Sequence, residues 1–324
     1  AADSPYYRML REEGYDYVLE PNGSRSEMYY IPQISQLPER LHPSAWIADR
    51  AIAHLRAQKE SGRPWYLFAS FIHPHPPFSP PNPWHKLYRA AQMPLPLLPP
   101  EGDALLTFVN RIQNRYKYRD GGLDFHLLRT MKAYYYACIS FVDCQVGRIL
   151  DALEQTGQAE NTLVLFTADH GEHLGDYGCF GKRTFHDTAA RVPLLAWQKG
   201  RFEGGRVCDT PVSLVDLAPT ILAAAGVKAR DMALDGEDLA AILSGQSPRR
   251  MVFGQHRAIP CRIRGSGRPA RRKRPPYCAP LFPAIWRFRP NGNISIARPT
   301  ARNTSSTARP THGKPATGLA RPFA

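Results

Sequence analysis

The sequence predicts an α/β domain with helices on the faces of a sheet. Two observations carry this. Three apolar runs of strand length, at 65–71 (WYLFASF), 162–167 (TLVLFT) and 191–197 (RVPLLAW), alternate with helical segments. The helix before the second run sets Met131, Tyr135, Cys138, Val142, Val146, Ile149 and Leu153 at intervals of three and four, which is one helical face.

The elements follow in order. Residues 1–44 are rich in Tyr, Pro and Gly, lack a sustained period, and read as an irregular segment of the same domain. A helix then opens with Ser44 as N-cap and sets Ile47, Ile52 and Leu55 on one side. Gly62-Arg63-Pro64 ends it, and 65–71 reads as a buried strand. Pro-rich irregular chain runs from there to about residue 100, and loops of that length tend to be functional. The long helix spans about 125–156, with Gly157 at its stop. Ser213 and Asp216 stand in the S-x-x-D arrangement that caps a further helix, which ends near Gly226.

The formal charge of +14 suggests a nucleic-acid partner until it is located. Residues 255–324 hold 15 Lys and Arg and no acid, leaving 27 basic against 28 acidic residues in the rest. That tail, with 11 Pro and no apolar period, reads as disordered. Its cations, with Tyr277, Phe282, Trp286 and Phe288, would suit phosphates and stacked bases. It has no recognition motif, however, so nucleic acid is kept as an alternative rather than the expected partner. No run of about 18 apolar residues suggests a membrane span, and no signal peptide is visible. The six cysteines form no C-x-x-C pair. The compartment stays undetermined on these grounds, with the cytoplasm as the default expectation.

Two segments could carry chemistry, and each follows a strand. After 162–167 comes ADHGEHLGDYGCFGK, which places Asp169 and His170 at a strand's carboxyl end, where α/β sheets bind ligands. A carboxylate beside an imidazole suits a divalent metal. Lys182 lies twelve residues on, beyond a glycine-rich loop, and could neutralise charge on an ester oxygen. The same spacing equally fits a helix-capping Asp169 and a surface His170. After 65–71 comes HPHPPF, whose prolines stiffen the backbone around His75 and could aim it as a proton donor. Incidental histidines in a Pro-rich loop fit that stretch too. His73, Glu172, His173, Asp176 and His186 lie nearby and receive no role.

DHGEHLGDYGCFGKRTFHDTAARVPLLAW resembles the sulfatase segment in which Asp-His or Asp-Asn binds the metal, a Lys follows, and R-V-P-L opens the next strand. FASFIHPHPPFSPP resembles that family's Pro-His-x-Pro loop. YYACISFVDCQVGRILDALEQTGQAENTLVLFTADHG and SLVDLAPTILAAAGV resemble the segments on either side. The resemblance spans about 43–254 and implies a three-layer α/β/α alkaline-phosphatase-like sheet, with 45–254 as a partial catalytic domain. It makes Asp169 and His170 metal ligands, for Ca2+ or for Mn2+ or Mg2+. It places His75 and Lys182 on the ester group. It implies a small sulfate ester as substrate, with phosphonate monoesters or phosphodiesters as the alternative, and no membrane partner.

The family's nucleophile is a formylglycine made from Cys or Ser in C-x-P/A-x-R, and no residue here completes that motif. Cys144 has Arg148 but Val146, Cys179 has Arg183 but Gly181, and Cys278 has Pro280 but Phe282. Ser24 and Ser26 flank Arg25 in the wrong order. The family's early paired aspartates are missing as well. The expectation is an N-terminally truncated, inactive sulfatase copy, its basic tail out of frame; a pseudoenzyme is the competing reading.

Overall fold

A computed structural model describes residues 4–25, 29–106, 111, 124–202, 204–227, 232–247, 251–256, 284–288 and 294–297. The chain divides into two units, Ala1–Val252 and one built from Phe253 onward.

The first unit opens with a helix where none was expected, α1 (Pro5–Glu12). Ser4 caps it, accepting from the Tyr7 amide, and Pro5 sits at its first position. Leu10 is the buried residue of this helix, with Tyr6, Tyr7 and Met9 partly buried beside it. Leu10 closes a small core with Val18, Leu37 and Leu41. Helix α2 (Pro43–Ser61) starts one residue before the expected cap. His42 is the N-cap, its Nδ1 accepting from the Ser44 amide at 3.1 Å, because Pro43 takes the first helical position. Gly62 ends the helix in the left-handed region, at φ 62°. Helix α3 (Phe125–Gln155) is capped by Asp124 and packs along α2, with Leu55, Ala152 and Leu153 as a shared core and Arg148 paired to Asp49 at 2.7 Å.

Strand β1 (Val164–Thr167) pairs antiparallel with β2 (Leu194–Trp197), Phe166 opposite Leu195. Helical turn α4 (Asp187–Ala190) precedes β2; α5 (Leu217–Ala224) and α6 (Leu239–Leu243) follow it. The two strand faces alternate as the pleat requires. Leu165, Leu194 and Ala196 pack on Phe202, Leu239 and Ile242, whereas Val164 on the other face joins the α2–α3 core. Helices therefore pack on both faces of the strand pair, although Phe166, Leu195 and Trp197 on the second face stay exposed. The expected capping box is present: Ser213 N–H donates to Asp216 Oδ2 at 2.8 Å. Asp216 is fully buried, and its other oxygen accepts from the Glu237 amide at 2.9 Å, tying α5 to the approach of α6.

The expected buried strand at 65–71 is corrected. This segment is extended but pairs with no strand among the described residues. Trp65 and Leu67 pack on the α2–α3 core, while Tyr66 and Phe68 stay 66% and 77% exposed. Gln158 holds its start, accepting from Trp65 Nε1 at 3.0 Å and donating to the Leu55 carbonyl at 2.9 Å. A β-prone run becomes a strand only with a neighbour to complete its ladder.

In the second unit, β3 (Val252–His256), β4 (Ala284–Phe288) and β5 (Ile294–Ala297) form a sheet in that order, β4 and β5 antiparallel. Two stretches of the span expected to be disordered are thus described as strands; the remainder of that expectation lies outside the described residues.

Candidate active site

The site grows from two loops that leave the α2–α3 layer and β1. The first, 72–79, is pinned from beneath. His73 is buried and stacks on His42 with ring centres 4.7 Å apart, and its Nε2 lies 3.3 Å from Ser79 Oγ, which donates to the Asn22 carbonyl. Burial drives the His73 imidazole down to about 4, so at neutral pH it is an uncharged wall element. Phe78 seals the floor with Tyr30, Leu128, Met131, Cys138, Leu174 and Phe180. On this base His75 stands half-buried at the surface of the loop. Its Nδ1 lies 2.8 Å from the Pro76 carbonyl, which can only accept, so Nδ1 carries the hydrogen and Nε2 is an acceptor. Nε2 faces the Tyr29 hydroxyl at 3.5 Å. Desolvation, with Lys182, Arg25 and His170 nearby, holds His75 below the ordinary histidine value.

The second loop, 168–188, follows β1. Gly171 is where it touches itself: the Gly171 amide donates to the Ala189 carbonyl at 2.8 Å, and a Cβ there would meet the Thr188 oxygen at 2.1 Å. His173, buried to 1% exposure, spans the loop, with Nε2 and Nδ1 each 2.8 Å from the hydroxyls of Thr184 and Thr188. Glu172 accepts from the Gly181 amide at 2.5 Å and also from the Leu174 amide. These bonds set the position of Lys182 between Gly181 and Thr184. Asp176, a side chain without a role in the sequence reading, accepts from the Leu97 amide at 2.9 Å and pairs with Lys132 at 3.6 Å.

The two loops bring His75, Asp169, His170 and Lys182 together. His170 Nδ1 gives its hydrogen to the Gly171 carbonyl at 2.8 Å, which leaves Nε2 as the acceptor for Lys182 Nζ. Asp169 Oδ2 lies 3.2 Å from that same Nε2, and the Asp169 side chain is 86% exposed. Two lone-pair donors about 3 Å apart suit neighbouring ligands on a cation with bonds of about 2.1–2.3 Å. Among the described residues no third His, Cys, Asp or Glu joins them. The pair therefore fits a divalent ion as one side of a site that needs further ligands. The His75 and His170 rings are 6.3 Å apart. A cavity of about 190 Å³ opens at this point, lined by Tyr29, Tyr30, His75, Pro76, Glu172, Gly181, Lys182 and Arg183. Tyr29, Tyr30, Glu172 and Arg183 were not visible as site residues in the sequence; only the glycine spacing around Glu172 marked its loop as unusual. A larger cavity of about 280 Å³ lies beside Glu39, Arg40, Asp49, Gln145 and Arg148, but its arginines are ion-paired and its lining holds no His, Lys, Ser or Cys.

The sulfatase family model matches residues 2–227, well over half of the chain. The chain belongs to the sulfatase family. It is 31% identical over 228 residues to an arylsulfatase of Clostridium perfringens, covering 67% of this chain and 46% of that protein. It is 30% identical to a multifunctional alkaline phosphatase superfamily protein of Trinickia caryophylli, covering 70% and 46%. Among solved structures it matches phosphonate monoester hydrolases of Silicibacter pomeroyi and Agrobacterium radiobacter. The TM-scores are 0.65 and 0.66, both at 28% identity, covering 78% and 80% of this chain and 52% and 55% of those. This sulfatase therefore has the alkaline-phosphatase-like α/β fold, and it spans about half the length of the relatives it matches. Among the described residues no helix is long and apolar enough to cross a membrane.

Proposed function

We propose that this chain carries the anion-holding side of a sulfate-ester hydrolase site, with phosphonate monoesters as the alternative substrate class. The observation that carries the reading is the convergence of Lys182, His170, Asp169 and His75 from two loops that each follow a β-prone run, beside a cavity that Lys182 and His75 line. Asp169 and His170 would hold a divalent cation, which when bound would polarise an ester oxygen. For His170 to ligate, Lys182 has to release Nε2, and its ammonium then becomes available to the ester group as a mobile positive charge. His75, kept below its ordinary value, meets the ester with an acceptor nitrogen at neutral pH. It can donate to the leaving oxygen only after taking up a proton, which a bound anion favours. Glu172 and His173 brace the loop that carries Lys182, Glu172 from within the cavity lining.

The C-x-P/A-x-R nucleophile has no counterpart in the sequence, so these residues bind and orient an ester without supplying the attacking oxygen. Little or no turnover is expected of the chain alone. The phosphonate alternative rests on the Asp-His pair and on the two hydrolases matched above. The test is a chimera that places the segment before the matched part of an arylsulfatase relative, nucleophile motif included, ahead of this chain. It should hydrolyse 4-nitrophenyl sulfate or a phenyl phosphonate monoester and lose that activity on Lys182→Met. A folded chimera inert towards both, or one indifferent to Lys182→Met, would contradict the assignment.

A further inference from the structure

We propose that the ester bound at this site carries a second anionic group, a carboxylate or a further sulfate, and that Arg183 and Tyr29 recognise the part bearing it; this rests on the ester-binding reading above. The first observation is an excess of positive charge. Lys182, with the cation that Asp169 and His170 would hold, answers the single charge of a sulfate monoester, yet Arg183 lines the same cavity beside Lys182. Arg25 adds its field from the His75 side, acting on both His75 and Tyr29. The one carboxylate in the lining, Glu172, already accepts from two amides of its own loop.

The second observation concerns Arg183 itself. It is exposed, and among the described residues no carboxylate lies within ion-pairing distance of it. It follows Lys182 directly, in a loop held by His173 through Thr184, so the two cations are presented from one rigid stretch. A guanidinium is a planar fork that binds carboxylate or sulfate oxygens in pairs, a geometry an ammonium cannot offer. The third observation is Tyr29, which lines the cavity between His75 and Arg183 and presents an aromatic ring to whatever joins the two anions. Such rings pack on aryl groups and on the apolar faces of sugars. Together these features describe a ring bearing an ester sulfate towards Lys182 and His75 and a second anion towards Arg183.

The experiment titrates the chain with inorganic sulfate, phenyl sulfate and 4-carboxyphenyl sulfate by calorimetry, in the wild type, Arg183→Met, Arg183→Lys and Lys182→Met. The dianion should bind about five- to tenfold more tightly than phenyl sulfate, the scale of one exposed charge-assisted pair. Arg183→Met should abolish that preference while weakening phenyl sulfate less than threefold, and Arg183→Lys should retain part of it. Equal affinities in the wild type, or a preference that survives Arg183→Met, would overturn the proposal and leave the ester site standing. If no ligand binds, or Lys182→Met changes nothing, the ester-binding reading fails and this inference with it.

Discussion

Two β-prone runs in this molecule meet opposite fates. Residues 164–167 find a partner in β2, gain helices on both faces and deliver Asp169 and His170 to a defined place. Residues 65–71 are as apolar, yet pair with no strand among the described residues, with Tyr66 and Phe68 in solvent. The loops that follow them, however, are equally well held. His75 rests on His73, Ser79 and Phe78; Lys182 rests on His173, Glu172 and Gly171. The difference shows that the site loops are stabilised by bonds within themselves and to the core beneath, whereas the sheet depends on strands distant in sequence. The chain can therefore order the loops of the proposed site while leaving apolar sheet surface open, including Phe166 and Leu195 on one face.

If the loop supports are what order the site, breaking them should cost far more than altering the open surface. Acid should act most strongly. His73 and His173 are both held at about 4, chiefly by burial, against an ordinary 6.5. The unfolded chain then takes up protons that the folded chain refuses, so stability is intact above about pH 6.5 and falls as the pH drops towards 4. The loss approaches roughly 3 kcal/mol for each histidine. Urea midpoints measured from pH 7.5 to 4 should show it, and a flat profile would remove both histidines from the support. Gly171→Ala should cost about 3 kcal/mol by driving a methyl group into the Thr188 carbonyl, read from the same unfolding curves. Asp216→Ala, which removes the buried acceptor of the Ser213 and Glu237 amides in unit 1, should cost about 2 kcal/mol yet leave sulfate affinity unaltered. Phe68→Ser and Leu195→Ser should change stability by less than about 0.5 kcal/mol, since both are already in water, but should reduce self-association in sedimentation runs.

Much of this was legible in the sequence where the signal is local. The period of α3, the Ser213–Asp216 capping box, the stop at Gly157 and the strand-end Asp169-His170 pair all depend on residues close together in the chain. What was not legible depends on packing between distant segments. Helix α1 spans only Pro5–Glu12, too short a window for the spacing of Tyr6, Met9 and Leu10 to stand out as a sustained period. The cap of α2 passed to His42 because Pro43, not Ser44, fits the first helical turn. The run 65–71 has strand composition, yet among the described residues it pairs with no strand. At the site, His75, Asp169, His170 and Lys182 stood out because histidine, acid and lysine followed strands. Tyr29, Arg183 and the bracing role of His173 depended on how two loops fold over each other, which no spacing records.

The most direct measurement is a calorimetric titration of the chain with inorganic sulfate, comparing the wild type with Lys182→Met and His170→Ala. If the two loops form one anion site, the wild type binds a single sulfate and Lys182→Met weakens it at least tenfold, with His170→Ala weakening it less. Binding that is absent from the folded wild type, or equal in the wild type and Lys182→Met, would contradict the claim that these two loops form an anion site in this chain.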